Sequence, residues 1–147
     1  MPEVAFHTGL SDKLGYTCRL LRKAWRQGAR VVVTADAPTL GKLDSLLWTF
    51  EHEEFVPHAR LRSGEQVPPG LARTPIWLAD DADGARVAAL QATVLVNLGP
   101  RLAAGYEQFA RVIEVVGDDA EDAQQGRQRW RGYQAAGCTP KLHQLAA

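Results

Sequence analysis

The chain has 147 residues, 46% of them hydrophobic and 23% charged, with 17 basic side chains balancing 17 acidic ones. That is the length of one domain with a sizeable core, and zero net charge disfavours a dedicated nucleic-acid binder, which is usually strongly basic. No apolar run approaches the roughly 18 residues of a membrane span, the N-terminus lacks a signal-peptide pattern, and Cys18 and Cys138 make no disulfide framework, so a reducing cytoplasmic setting is expected.

Val4-Ala5-Phe6 predicts a first strand, broken at Thr8-Gly9. Ser11 is positioned to cap a helix running to about Gln27. Leu14, Cys18, Leu21 and Trp25 form its apolar face, and Lys13, Arg19, Arg22, Lys23 and Arg26 lie off it. Gly28 predicts a left-handed cap. Val31-Val32-Val33 reads as a strand buried on both faces of a parallel sheet. Asp36-Ala37-Pro38-Thr39 opens a second helix, with Leu40, Leu43, Leu46 and Leu47 inward and an end near Trp48.

From Phe50 to Pro75 no periodicity holds, and prolines and glycines predict a long ordered loop with a short extended piece at Ala59 to Leu61. Within it, Pro57 fixes its own φ and pushes Val56 toward an extended conformation. Phe55 and Val56 are therefore held in a rigid segment, and Trp48 and Phe55 are either core residues or an exposed apolar patch. Further strands are expected at Ile76 to Ala79, Thr93 to Leu98 and Ala110 to Val116. A turn falls at Asp80 to Gly84, a short helix at Arg86 to Leu90, and one or two helical turns at Arg101 to Tyr106. Asp118 or Asp119 caps a last helix reaching about Ala136. The element order predicts an α/β fold, a three-layer α/β/α Rossmann-like sandwich on a mainly parallel five-stranded sheet, formed by residues 1–147 as one domain.

Chemistry-bearing motifs are sparse. The turn His7-Thr8-Gly9-Leu10-Ser11 has one glycine where a dinucleotide fingerprint has three. A nucleotide-dependent enzyme using this turn is the alternative reading, and a direct DNA contact through Arg19, Arg22, Lys23 and Arg26 is a third. His52 and His58 flank three glutamates but lie on no regular element, so no metal site is expected, nor a cofactor or catalytic residue. In the last helix, Ala123, Gly126, Trp130 and Tyr133 repeat at helical spacing, and the small residues allow close approach to a neighbour. Arg127 and Arg131 are one turn apart with Trp130 between them. That pattern suits a solvated helix edge, or a basic, aromatic-walled pocket for an acidic or carboxylate-ended peptide.

Two motifs in order carry a resemblance. Trp48 at a helix end is followed by Phe55-Val56-Pro57-His58. The last helix reads Arg127-Gln128-Arg129-Trp130-Arg131-Gly132-Tyr133-Gln134-Ala135-Ala136-Gly137. Trp25 to Val31 and Glu114-Val115-Val116 are smaller echoes. Together they resemble the chi subunits of the bacterial DNA polymerase III holoenzyme, over essentially the whole chain. The resemblance implies a non-catalytic clamp-loader adaptor with two protein partners and only indirect contact with DNA. A psi subunit would contact Trp48, Phe55, Val56 and Pro57. The acidic tail of single-stranded-DNA-binding protein would contact Arg127, Trp130, Arg131 and Tyr133. Ala123 departs from the family pattern, which has a basic residue there.

Overall fold

The structure, a computed structural model, describes residues 1–50, 55–82 and 84–145. Seven strands form one sheet: β1 (Glu3–Leu10), β2 (Val31–Thr34), β3 (His58–Leu61), β4 (Ile76–Ala79), β5 (Val94–Asn97), β6 (Arg111–Gly117) and β7 (Lys141–Gln144). Their order is β3-β4-β2-β5-β6-β1-β7, and every pairing is parallel. The sheet thus has two more strands than expected. Both additions, β3 and β7, are short edge strands.

Parallel neighbours need crossovers, and right-handed crossovers sort the helices by direction of travel. Helices α1 (Lys13–Arg26) and α2 (Ala37–Thr49) follow connections that run toward β3, and they cover one face. The returning connections carry α3 (Ala85–Ala88), the short turn at Tyr106–Gln108 and α4 (Ala120–Ala135) on the other face. Two cores result. Val31, Val33, Ile76, Leu78, Val96, Ile113 and Val115 pack under α1 and α2. Val32, Trp77, Leu95, Val112 and Val116 pack on the opposite side. Strand alternation explains why the valine run at 31–33 is apolar throughout: successive side chains enter different cores.

Local signals set the helix ends. Asp12, not Ser11, caps α1, its carboxylate accepting from the Gly15 amide at 3.0 Å. Asp36 caps α2 through Thr39 at 2.9 Å, and Asp119 caps α4 through Asp122 at 3.1 Å. Gly28 adopts φ +79° after α1, as its left-handed role requires. On α2, Leu40, Leu43 and Leu47 are buried, whereas Leu46 is partly exposed. Strand β1 does not stop at Thr8-Gly9. It runs on to Leu10 because Leu10 pairs with Gly117 of β6 after a register shift that absorbs the glycine, while β7 pairs with it as far as Thr8. The long loop is pinned by Arg30, whose guanidinium donates to the carbonyls of Leu90 and Ala72.

Candidate functional site

Helix α4 is short of apolar residues, and what seats it is polar. Its inward positions are Gly126, Arg129 and Tyr133. A Cβ on Gly126 would lie 3.1 Å from both Val116 methyls, so the backbone comes close to β6 there. One turn on, Glu114 is wholly buried on β6 and Arg129 is 2% exposed. The Arg129 Nε donates to Glu114 Oε1 at 2.8 Å, and its Nη1 donates to the Pro100 carbonyl at 3.1 Å. Tyr133 donates its hydroxyl to Glu114 Oε2 at 2.6 Å. Asn97 on β5 donates to the same carboxylate, and its own carbonyl accepts from Thr34 on β2. This network ties α4 to three strands. Burial raises the Glu114 carboxyl pKa, opposed by Arg129, Tyr133 and Asn97, while burial and Glu114 together push the Tyr133 phenol upward.

With positions 126, 129 and 133 turned inward, Arg127 and Arg131 are exposed and Trp130 is half-buried at the helix flank. They line a cleft of about 660 Å3. Phe6 meets Trp130 edge-on at 5.1 Å between ring centres. Leu142 and Gln144 of β7 also line the cleft, and Asp118 and Gly9 join them. The sequence-predicted residues Arg127, Trp130 and Arg131 are thus brought together, and Ala123 lines the same cleft. Tyr133 is not. It is fully buried, packed against Phe6 and Tyr106, so it supports the site and offers it no surface. Phe6, Leu142 and Gln144 were not foreseen. Leu142, alternating with the polar residues Lys141 and His143, is the one sequence signal for them.

A second surface forms where α2 ends. Trp48 is 61% exposed and Phe55 46% exposed, and their rings stack at 4.7 Å with an interplanar angle of 29°. His58 supports the pair edge-on from Trp48 at 5.4 Å. Its Nε2 contacts Asp44 on α2 at 2.8 Å, and its Nδ1 contacts the Val56 carbonyl at 2.8 Å. His58 and Asp44 therefore fix the loop against the helix, a role sequence reasoning missed. Val56 is fully buried in the core beneath α1 and α2, so it anchors the loop and offers no surface to a partner. Pro57 is half-buried. His52 lies outside the described residues; both ring nitrogens of His58 are engaged.

The first strand-helix turn does not form an anion site. The Asp12 carboxylate occupies the cap of α1 and would repel a phosphate. Gly9, at φ +77°, accommodates the Leu145 carbonyl, which a Cβ would approach to 3.0 Å. Among the described residues, no cluster of three or more His, Cys, Asp or Glu could hold a metal ion, and no helix is long and apolar enough to cross a membrane.

The fold and these two surfaces define a class: a parallel α/β domain whose exposed aromatic and basic features are suited to binding. Within that class, the family model described as DNA polymerase III chi subunit, HolC, matches residues 1–141, and the chain belongs to that family. It is 31% identical over 136 residues to the DNA polymerase III subunit chi of Pseudomonas aeruginosa, covering 92% of this chain and 88% of that one. With the Escherichia coli subunit chi it shares 29% over 131 residues, covering 88% and 83%. Family membership places the chain in DNA replication as an accessory polypeptide, with no catalytic role indicated. The backbone is also similar to the C-terminal domain of the DEAD-box protein Dbp5 from Saccharomyces cerevisiae. That match has a TM-score of 0.62 and 12% identity, and covers 97% of this chain and 90% of the other, a likeness of fold alone.

Proposed function

We propose that this chain is a single-domain, non-catalytic adaptor of the DNA polymerase III clamp-loader assembly in the cytoplasm. It bridges a psi-type subunit and the acidic C-terminal tail of single-stranded-DNA-binding protein, and reaches DNA indirectly, through that tail. The cleft between α4 and β7 carries the reading. Two exposed arginines one turn apart stand at its rim, and Trp130, Phe6 and Leu142 give it apolar walls. Arg127 and Arg131 supply fork-shaped donors for a terminal carboxylate, and the apolar walls receive the last side chain of the tail. Asp118, at the cleft's other end, disfavours acidic residues there and so favours one direction of entry. The stacked Trp48–Phe55 pair, with Pro57 at its border, is the proposed psi contact. Exposed clustered aromatics mark interaction surfaces.

A charge-assisted hydrogen bond contributes roughly 1.5–3 kcal/mol when partly desolvated, so Arg127→Ala weakens tail binding by about ten- to a hundredfold. Amidating the peptide's C-terminus costs about as much. The test is a titration of wild-type protein and Arg127→Ala with free-acid and amidated acidic peptides. Equal affinities in all four combinations refute the site.

A further inference from the structure

Helix α1 carries Lys13, Arg19, Arg22, Lys23 and Arg26 and no acidic side chain along its 14 residues, in a chain whose formal charge is zero. Helical rotation sends these cations to different places. Lys13 turns inward to the Leu98 carbonyl and the Asp122 carboxylate. Arg22 lies over the Phe50 ring. Arg19 and Lys23 are exposed and one turn apart, on the flank that also holds Tyr16.

The sheet adds positive charge beside that flank. Leu142 and Gln144 of β7 face the α4 cleft, so alternation puts Lys141 and His143 on the α1 side. Ile113 and Val115 enter the core beneath α1, which puts Arg111 on the same side of β6. His7 sits among these groups. Its ring is 2.5 Å from the Tyr16 hydroxyl and 5.3 Å, centre to centre, from the His143 ring. Its pKa is lowered to about 4, by burial first and then by His143, Arg111 and Lys23. Of the described acids, Glu3 and Asp12 stand at the border of the patch. Glu3 stands beside Arg111 in the ladder, and the Asp12 carboxylate is engaged by the Gly15 amide. Among the described residues, no carboxylate forms an ion pair with Arg19, Lys23, Arg111 or Lys141.

We propose that Arg19, Lys23, Arg111 and Lys141 form a weak, sequence-independent contact for the phosphate backbone of single-stranded DNA. A protein partner is disfavoured because interfaces need an apolar centre. Among the described residues the exposed large hydrophobics are Met1, Leu46, Trp48, Phe55, Leu71 and Leu142, and none belongs to this patch. A duplex is disfavoured because α1 lies against the sheet and the cations spread over its flank and a sheet edge, a broad array with no single projecting element to follow a groove among the described residues. A flexible strand can bend to follow such an array. Zero net charge keeps the contact weak in isolation. Strand β7 gives one face to the cleft and the other to this patch. A tail held in the cleft would therefore tether its DNA beside the cations at high effective concentration. That last step rests on the proposed tail site, whereas the phosphate contact itself does not.

The experiment is fluorescence anisotropy of labelled oligo(dT) against the full chain over a salt series. Four neutralised phosphates give a slope of about −3 for log affinity against log salt, from roughly −0.7 per phosphate on single strands. Arg19→Glu/Lys23→Glu/Lys141→Glu should lower affinity at least about tenfold and flatten that slope. The milder Arg19→Gln/Lys23→Gln should show the same trend, and circular dichroism checks that both variants fold. Arg127→Ala should lose the tail peptide and keep oligo(dT), so the two sites fail separately. Three results overturn the proposal: no wild-type binding at about 50 mM salt, charge-reversal binding equal to wild type, or duplex bound as tightly as single strand.

Discussion

Replacing Arg129 with methionine tests whether a buried ion pair seats α4. Methionine keeps most of the side-chain length and removes the charge. Glu114, wholly buried, would keep the Tyr133 hydroxyl and the Asn97 amide but lose the 2.8 Å contact with a cation. Breaking a buried pair by removing one partner costs about 3–5 kcal/mol, because the remaining charge is uncompensated. For a domain with a typical stability of roughly 5–15 kcal/mol that is a large fraction, and at about 2–4 °C per kcal/mol the melting temperature falls by roughly 6–20 °C. The loss should depend on pH in a defined sense. The Glu114 pKa is already raised by burial, and deleting Arg129 raises it further. Above its unfolded value the folded state then binds more protons than the unfolded state. Stability of the variant therefore declines as pH rises through that widened window, and the gap from wild type narrows in acid. Adding Glu114→Gln to Arg129→Met removes the stranded charge and should recover much of the loss. Urea unfolding followed by far-UV circular dichroism at several pH values measures all three proteins. A neutral-pH loss under about 1 kcal/mol, or one that does not change with pH, would refute this account of α4.

Phe55→Ala should change stability by no more than about 1.5 kcal/mol, the scale of one aromatic pair, while abolishing partner capture. Val56→Ala beside it should cost about 1.5–3 kcal/mol by emptying a buried site. The reverse order in denaturant melts would make Phe55 the core residue. Gly126→Ala sets a helix-propensity gain of about 1 kcal/mol against overpacking on Val116 of about 1–3 kcal/mol. We expect a net loss, and a variant stabilised by about 1 kcal/mol would show that the Val116 methyls yield. His7, with its pKa lowered to about 4 from 6.5, binds fewer protons folded than unfolded between those values. Its contribution to stability therefore rises with pH through that window. The ring proton resonances of His7 should titrate near pH 4, and a midpoint at the ordinary value would contradict the buried geometry.

Much of this protein was legible in its sequence because the signals are local. The valine run at 31–33, the leucine spacing of α2, the Asp36-Ala37-Pro38 start and the glycine after α1 each depend on a few neighbouring residues and fixed backbone sterics. The clustering of Arg127, Trp130 and Arg131 follows from helical periodicity once α4 is placed. Tertiary structure decided what depended on partners distant in the chain. Strand β7 has four exposed residues and no apolar run, so only the open edge of β1 makes it a strand. Its arrival beside β1, as far as Thr8, turns the flank of a helix into a cleft. Ser11 stands at the expected cap, but the folded chain starts α1 one residue later, so the Asp12 carboxylate is the group that reaches the Gly15 amide. Val56 and Tyr133 carry the same motif credentials as their neighbours Phe55 and Trp130, yet they point into the core. Glu114 falls in a predicted strand and Arg129 in a predicted helix, with nothing local to join them. Fifteen positions separate them, and only the packing of α4 on β6 makes each the other's buried counter-charge. Burial of that kind is a property of the assembled layers, where desolvation and pairing are decided together.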